Sequence, residues 1–278
     1  MVSRIGKYKV CRTIAQGSSG KVKECIDNDG QRYAIKIIDV STTKANQTLE
    51  NIKREVCVLK EFSTIHPNIC TLHKVLCSSH KLFLVFDYCE TDLYELIFKK
   101  HNLSEDRAAC YFYQICEALH ALHSHSIAHR DIKPENILLI NESIRISDFG
   151  LSRIVYNSCA STFVGTIYYC APEILNAYFD KNKKYNAFKS DIWSLGAVLY
   201  CMLVGHFPFH SPDQEELVTL ICSAKFSIPT FISDSAKNLL KRILVADPGD
   251  RISLAMILQH HWFVEQGVGV VNGKTEKL

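Results

Sequence analysis

Short runs of β-branched and aromatic residues open the chain. Tyr8–Ala15, Lys21–Asp27 and Gln31–Asp39 each read as a strand, with Asn28-Asp29-Gly30 as a turn between the last two. The period then changes. Within Thr48–Phe62, the positions Leu49, Ile52, Val56 and Leu59 fall on one helical face. Two more strands are predicted near Cys70–Cys77 and Leu82–Tyr88. Beyond them the pattern stays helical. Asp92–Lys100 is short. Ser104–Ser124 is long, with Ala108, Phe112, Ile115, Leu119 and Leu122 on one stripe. Ser104 ahead of Glu105 and Asp106 makes a good helix start. Ser211-Pro212-Asp213-Gln214 reads as a capping box with proline at the first helical position. Ser233–Ala246 and Ser253–His261 complete the set. Ile192–Val204 is apolar on all sides, interrupted only by Ser194 and Gly196, and too short to span a bilayer. Such a helix belongs inside a large core. A strand-rich part followed by a helix-rich part predicts an α+β fold segregated into two lobes.

Composition narrows the classes. With 278 residues, 47% hydrophobic and 22% charged, the chain suits one large domain or two lobes sharing a cleft. A net charge of +3 is too weak to imply nucleic acid. The densest basic cluster, Lys181, Lys183, Lys184 and Lys189, reads as a solvated loop. Twelve cysteines are scattered, with no C-x-x-C pair and no zinc or disulfide spacing. The start Met1-Val2-Ser3-Arg4-Ile5-Gly6 lacks an apolar signal region, Val2 does not fit N-myristoylation, and Thr275-Glu276-Lys277-Leu278 is neither a prenylation box nor a peroxisomal signal. Reduced thiols in the cytoplasm or nucleus are expected.

Candidate chemistry begins between the first two strands, at Ile14-Ala15-Gln16-Gly17-Ser18-Ser19-Gly20-Lys21-Val22. Glycines there let backbone N–H groups approach phosphate, although a small-residue hairpin turn has the same appearance. The third strand carries Tyr33-Ala34-Ile35-Lys36. Lys36 is either an exposed strand charge or the partner of Glu55 on the following helix. The decisive segment is His129-Arg130-Asp131-Ile132-Lys133-Pro134-Glu135-Asn136, followed by Asp148-Phe149-Gly150 and Ala171-Pro172-Glu173.

Five motifs in this order and spacing resemble the eukaryotic protein kinase family, from about Tyr8 to about Phe263. The resemblance implies a bilobal kinase fold. A small antiparallel-sheet N-lobe with one main helix would cover about 8–86, a hinge 87–91, a larger, mostly helical C-lobe about 92–265, and a tail 266–278. It also implies ATP and Mg²⁺. Phosphoryl transfer needs in-line positioning and charge neutralisation more than covalent chemistry. Asp131 would then accept the substrate hydroxyl proton, and Lys133 would neutralise the γ-phosphate. Asn136 and Asp148 would hold Mg²⁺ through hard oxygen ligands. Asn suits that place because a full ring of carboxylates would repel the phosphates. Lys36, paired with Glu55, would meet the α- and β-phosphates. Ala15, Gly17 and Gly20 belong to the phosphate loop, and Val22, Ala34 and Leu138 would sandwich the adenine. Phe86 would be the gatekeeper, backbone groups of Asp87 and Cys89 would bond the adenine edge, and Asp92 would reach the ribose. D-x-K-P-E-N at 131–136 and Thr166, matched to a contact of Asp131 and Lys133, resemble the serine/threonine branch.

Further matches concern scaffold and control. Leu59, Leu72, His129 and Phe149 match a stacked hydrophobic spine with buried Asp191, at a helix start, bonding its base. Glu173 and Arg251 match a buried ion pair. Thr162 aligns with an activating phosphosite, with Ser158 and Ser161 as alternatives and Arg130 and Arg153 as the cations that would receive a phosphate. Thr162–Thr166 and Trp193–Gly196 resemble the calcium/calmodulin-dependent and AMP-activated kinase groups. Three features depart from the pattern: Ala15 replaces the first loop glycine, Asn176–Lys189 is longer than in many relatives, and Cys201 replaces a glutamate that binds substrate arginine in the cyclic-AMP-dependent kinase. Glu135 and Asp92 still favour basic residues before the acceptor. His120, His123 and His125 suggest either zinc or polar packing at a helix end. The expected partners are protein substrates and an upstream kinase, with no nucleic acid and no membrane, and the catalytic domain is expected to be monomeric. The rival from another class is a pseudokinase acting as a scaffold or allosteric subunit, favoured only by Ala15. A small-molecule or lipid kinase is opposed by Lys133, Thr166 and Ala171-Pro172-Glu173.

Overall fold

Alternating inward residues set the first layer. The structure is a computed structural model that describes residues 4–17, 20–40, 52–53, 56–61, 66–154, 159–160, 167–180, 183–271 and 274–277. The chain forms two compact units, Met1–Thr91 with Leu138–Gly150, and Asp92–Ile137 with Leu151–Leu278.

The first unit is built on a six-stranded antiparallel sheet in the order β1-β2-β3-β4-β6-β5. Its strands are β1 (Arg4–Ile5), β2 (Tyr8–Gly17), β3 (Gly20–Ile26), β4 (Arg32–Asp39), β5 (Leu72–Cys77) and β6 (Lys81–Asp87). The five predicted strands are present, with ends moved by one or two residues. Ladder hydrogen bonds, rather than residue type, decide where each strand stops. Cys25, Ile35 and Val85 pack with Tyr8 on one face of the sheet. Ile38 and Leu84 pack with Ile52 and Val56 on the other. Residues 52–53 and 56–61 are helical, and 56–61 is termed α1. Leu59 is buried, so the predicted face of this helix is the one that packs. Asn68 anchors the same unit by donating to Ile144 O at 3.0 Å, and Ile146 N donates to Asn68 O at 2.8 Å.

The second unit is helical: α2 (Leu93–Lys100), α3 (Glu105–Ser124), α4 (Pro172–Phe179), α5 (Ala187–Val204), α6 (Gln214–Cys222), α7 (Asp234–Ile243), α8 (Leu254–Leu258) and α9 (His261–Glu265). Helix α5 is long and apolar enough, by length and composition, to cross a membrane, yet 78% of it is buried inside the protein. It is the predicted core helix, but it starts earlier than its apolar run. Asn186 caps it by accepting from Phe188 N and Lys189 N at 3.0 and 3.1 Å, so Asp191 lies in the second turn and not at the start. Gly205 ends it in the left-handed region at φ +89°, and an added Cβ there would lie 1.7 Å from His101 O.

Three helix ends differ from the sequence reading. Asp213, not Ser211, caps α6, accepting from Glu216 N at 2.8 Å, while Ser211 Oγ donates to Glu216 Oε2 at 2.6 Å. Ser104 sits at the N-cap of α3 without a side-chain capping bond. The single helix expected over Ser253–His261 is two, because the ring of His260 caps a new one by accepting from Trp262 N at 3.3 Å. The tail also contains a hairpin that periodicity did not reveal, β14 (Val268–Val271) paired antiparallel with β15 (Lys274–Lys277).

Candidate active site

Within the first unit, the strands deliver the phosphate-end residues in register. Ala15 pairs with Val22, Gly17 with Gly20, and Val22 with Lys36. Gly20 has φ +131°, and a Cβ there would stand 2.6 Å from Ile37 O, so only glycine closes the base of this loop beside β4. Ser18 and Ser19 lie outside the described residues. Lys36 is buried, and its ammonium bonds Asp148 Oδ1 at 3.1 Å. Glu55 lies outside the described residues. Asp148 occupies φ +60°, a left-handed conformation that Asp tolerates better than most residues, and Phe149 behind it is fully buried. Ala34 is buried and pairs with Phe86, and Phe86 packs on the Ile38–Ile52–Leu84 cluster. Leu138 is half-buried in the same unit.

The hinge residues are held by side chains that periodicity did not single out. His73 Nε2 lies 2.5 Å from Asp87 Oδ1. Arg32 places its guanidinium 3.8 Å from the centre of the Tyr88 ring, and Arg12 Nη2 donates to Tyr88 Oη at 3.4 Å. Both arginines also bond buried Glu24, each at 2.8 Å. The Cys89 thiol hydrogen-bonds Cys70, which lowers Cys89, while that bond and burial raise Cys70.

Within the second unit, the loop after β8 (Ile127–Ala128) carries the decisive motif. Lys133 Nζ bonds Asp131 Oδ2 at 2.8 Å. Asn136 Nδ2 donates to the same oxygen at 2.9 Å and to Asp131 O at 2.8 Å. Asp131 and Asn136 are buried. The loop holds its shape through Asp191, which accepts from His129 N at 2.9 Å and Arg130 N at 2.7 Å. Arg130 is thereby kept at φ +69°, a conformation that costs roughly 1–3 kcal/mol for a non-glycine residue. His123 adds a 2.9 Å contact to Asp191, so one member of the histidine trio is structural. Among the described residues no cluster of three or more His, Cys, Asp or Glu is arranged to hold a metal.

Asp92 caps α2, accepting from Glu95 N at 2.8 Å, and burial pushes its carboxyl up. Burial also raises Glu135, and the Asp92 charge adds to this. The strand β11 (Arg153–Ile154) pairs with β8, placing Arg153 opposite Ala128. Burial raises Tyr185, opposed by the charge of Arg130 and a hydrogen bond with it. Thr162 and Thr166 lie outside the described residues. The expected buried pair is present: Arg251 Nη1 and Nη2 bond the two Glu173 oxygens at 2.8 and 3.0 Å. Lys189, read from sequence as a solvated loop cation, instead donates to Arg251 O at 2.6 Å, and burial lowers its pKa.

The protein kinase domain family model matches residues 8–263. CBL-interacting protein kinase 9 of Oryza sativa subsp. japonica is 38% identical over 94% of this chain and 57% of its own length. CBL-interacting serine/threonine-protein kinase 8 of Arabidopsis thaliana is 37% identical, covering 95% of this chain and 59% of itself. The carbon catabolite-derepressing protein kinase of Candida glabrata is 35% identical over 94% of this chain and 42% of itself. The chain thus spans about three-fifths of the plant relatives it matches. The matched span takes in most of both units, including the strand that carries Lys36 and the helix that carries Asp191, and the chain belongs to the protein kinase domain family.

Proposed function

We propose that this chain transfers the γ-phosphate of Mg·ATP to serine or threonine hydroxyls of protein substrates. The observation that carries this reading is the Asp131 carboxylate. Lys133 and Asn136 both bond its Oδ2, and Oδ1 would accept the substrate hydroxyl proton. The Lys133 ammonium, 2.8 Å from Asp131 Oδ2, would neutralise charge on the transferring phosphoryl group. Lys36, buried on its strand, would hold the non-transferring phosphates. Asn136 and Asp148 would supply hard oxygens to Mg²⁺, and the ion would supply charge neutralisation at the phosphates. Tyr88 lies between Asp87 and Cys89, whose backbone groups would read the adenine edge.

A preference for basic residues before the acceptor belongs to the same reading. Glu135 and Asp92 are both raised by burial, and an incoming guanidinium would stabilise their charged forms. Phosphorylation of Thr162 would act through Arg130, two residues past Ala128, and Arg153, which pairs with Ala128. Placement in the cytoplasm or nucleus belongs to the same reading, and the free thiols among the described residues are in keeping with it.

The test is Mg²⁺- and ATP-dependent labelling of a degenerate serine/threonine peptide array beside Asp131→Asn and Asp148→Ala. Labelling by wild type that disappears in both variants is expected. Equal labelling by Asp131→Asn would overturn its role as base.

A further inference from the structure

Glu24 lies on β3, two residues beyond Val22, and is buried. It pairs with Ala34 across the β3–β4 ladder, which makes Arg32 its diagonal neighbour on the same face. Arg12 reaches it from β2 on the other side. One carboxylate therefore holds two guanidinium groups, Arg12 Nε on Oε2 and Arg32 Nε on Oε1, each at 2.8 Å. The same two groups engage a single further side chain, Tyr88, one from its ring face and one from its hydroxyl.

This arrangement differs from a surface ion pair. The arginines are largely exposed, with side-chain accessibilities of 70% and 48%, so their attraction to Glu24 alone would contribute little stability. What the geometry fixes is orientation. The carboxylate holds both guanidinium groups where they meet Tyr88. Tyr88 follows the last residue of β6 and precedes Cys89. His73 grips Asp87 from β5, so the hinge is braced by side chains from β2, β4 and β5.

We infer that Glu24 is a positioning residue for the nucleotide: through Arg12 and Arg32 it sets Tyr88, and with it the backbone on either side that reads the adenine edge. The inference rests on the nucleotide role proposed above for Asp87 and Cys89.

The experiment compares wild type with Glu24→Gln, Arg32→Lys and Tyr88→Phe. Steady-state constants for ATP, GTP and peptide are measured, with melting curves for all four proteins. Glu24→Gln is expected to raise the ATP KM about five- to tenfold, as expected for loss of charge-assisted hydrogen bonds. Its peptide KM and kcat should stay within about twofold, because no contact to the catalytic loop is altered. Preference for ATP over GTP should fall in step, a readout that simple loss of stability would not move. Arg32→Lys, which keeps the charge and loses the planar stack, should show a smaller effect of the same kind. Tyr88→Phe, which keeps the ring, should show the least. Wild type that fails to use Mg·ATP would overturn the nucleotide reading itself. Active wild type with unchanged ATP KM and purine preference in Glu24→Gln and Arg32→Lys would overturn the clamp alone.

Discussion

Replacing Arg251 by alanine removes a side chain that is only 2% exposed and is bound on every side. Its guanidinium satisfies both Glu173 oxygens, donates to Val245 O from Nε at 3.2 Å and Nη2 at 3.0 Å, bonds Lys189 O through Nη1, and lies 5.1 Å from the Trp193 ring centre. Truncation strands a carboxylate and two carbonyls where water has little access. Breaking a buried pair in this way costs about 3–5 kcal/mol. For a domain of this size each kcal/mol moves the melting temperature by about 2–4 °C, so a fall of roughly 6–20 °C is expected. Calorimetry of wild type, Arg251→Ala, Glu173→Leu and the double variant tests the reasoning. Because the cost is the stranded charge more than the lost attraction, the double variant should recover a large part of the loss. An Arg251→Ala melt within about 2 °C of wild type would refute it. So would a double variant as unstable as the sum of the singles, which would mean that packing dominates.

Three further expectations follow from single groups. Asp191→Asn leaves one fewer acceptor for His129 N, Arg130 N and His123, so kcat should fall about 10- to 100-fold while Mg·ATP binding is retained, read by transient kinetics beside calorimetric binding. Burial raises Glu105, but the Ser233 hydroxyl and N–H and the Trp262 N–H outweigh it, so its pKa is lowered in the folded protein. Its contribution is therefore fully present above the ordinary glutamate value and lost as pH falls through the folded one. Melts of wild type and Glu105→Gln should converge between about pH 6 and pH 3, and a gap unchanged with pH would contradict this. Gly205→Ala should lower the melting temperature by several degrees, since positive φ alone costs about 1–3 kcal/mol and His101 O blocks the methyl group; a wild-type melt would show that the turn reshapes freely.

Much of the site was readable from the chain because its chemistry is local. Asp131, Lys133 and Asn136 lie within six residues and meet at one oxygen. The Glu173–Arg251 pair was reached by resemblance alone, as 78 residues separate its members. Strands were legible where β-branched and aromatic residues were dense, as in Arg32–Asp39, although Ala34, Ile35 and Lys36 are all buried and break the alternation. What escaped depends on neighbours that are distant in sequence. Lys189 looked like one of several loop lysines, but α5 begins two residues before it, at Ala187, with Asn186 as the cap. His123 could not be matched to Asp191, 68 residues away, by any local pattern. Asp213 took the cap of α6 from Ser211 because its carboxylate reaches Glu216 N directly. Glu24 stayed hidden because a charged residue in a β-strand is normally a solvent-face residue, and only the diagonal register shows that two arginines cover it.

The strained turn at Arg130 has a consequence for how the protein folds. Its left-handed backbone is held by two N–H bonds to Asp191, a residue buried in the second turn of α5. The loop does not carry the information for its own shape; it borrows that shape from a helix 61 residues further along the chain. Until α5 is packed, nothing favours that φ over an extended one. The loop from His129 to Asn136 therefore takes its shape late in folding, and a nascent chain that has emerged only as far as Asn136 has these side chains without their geometry.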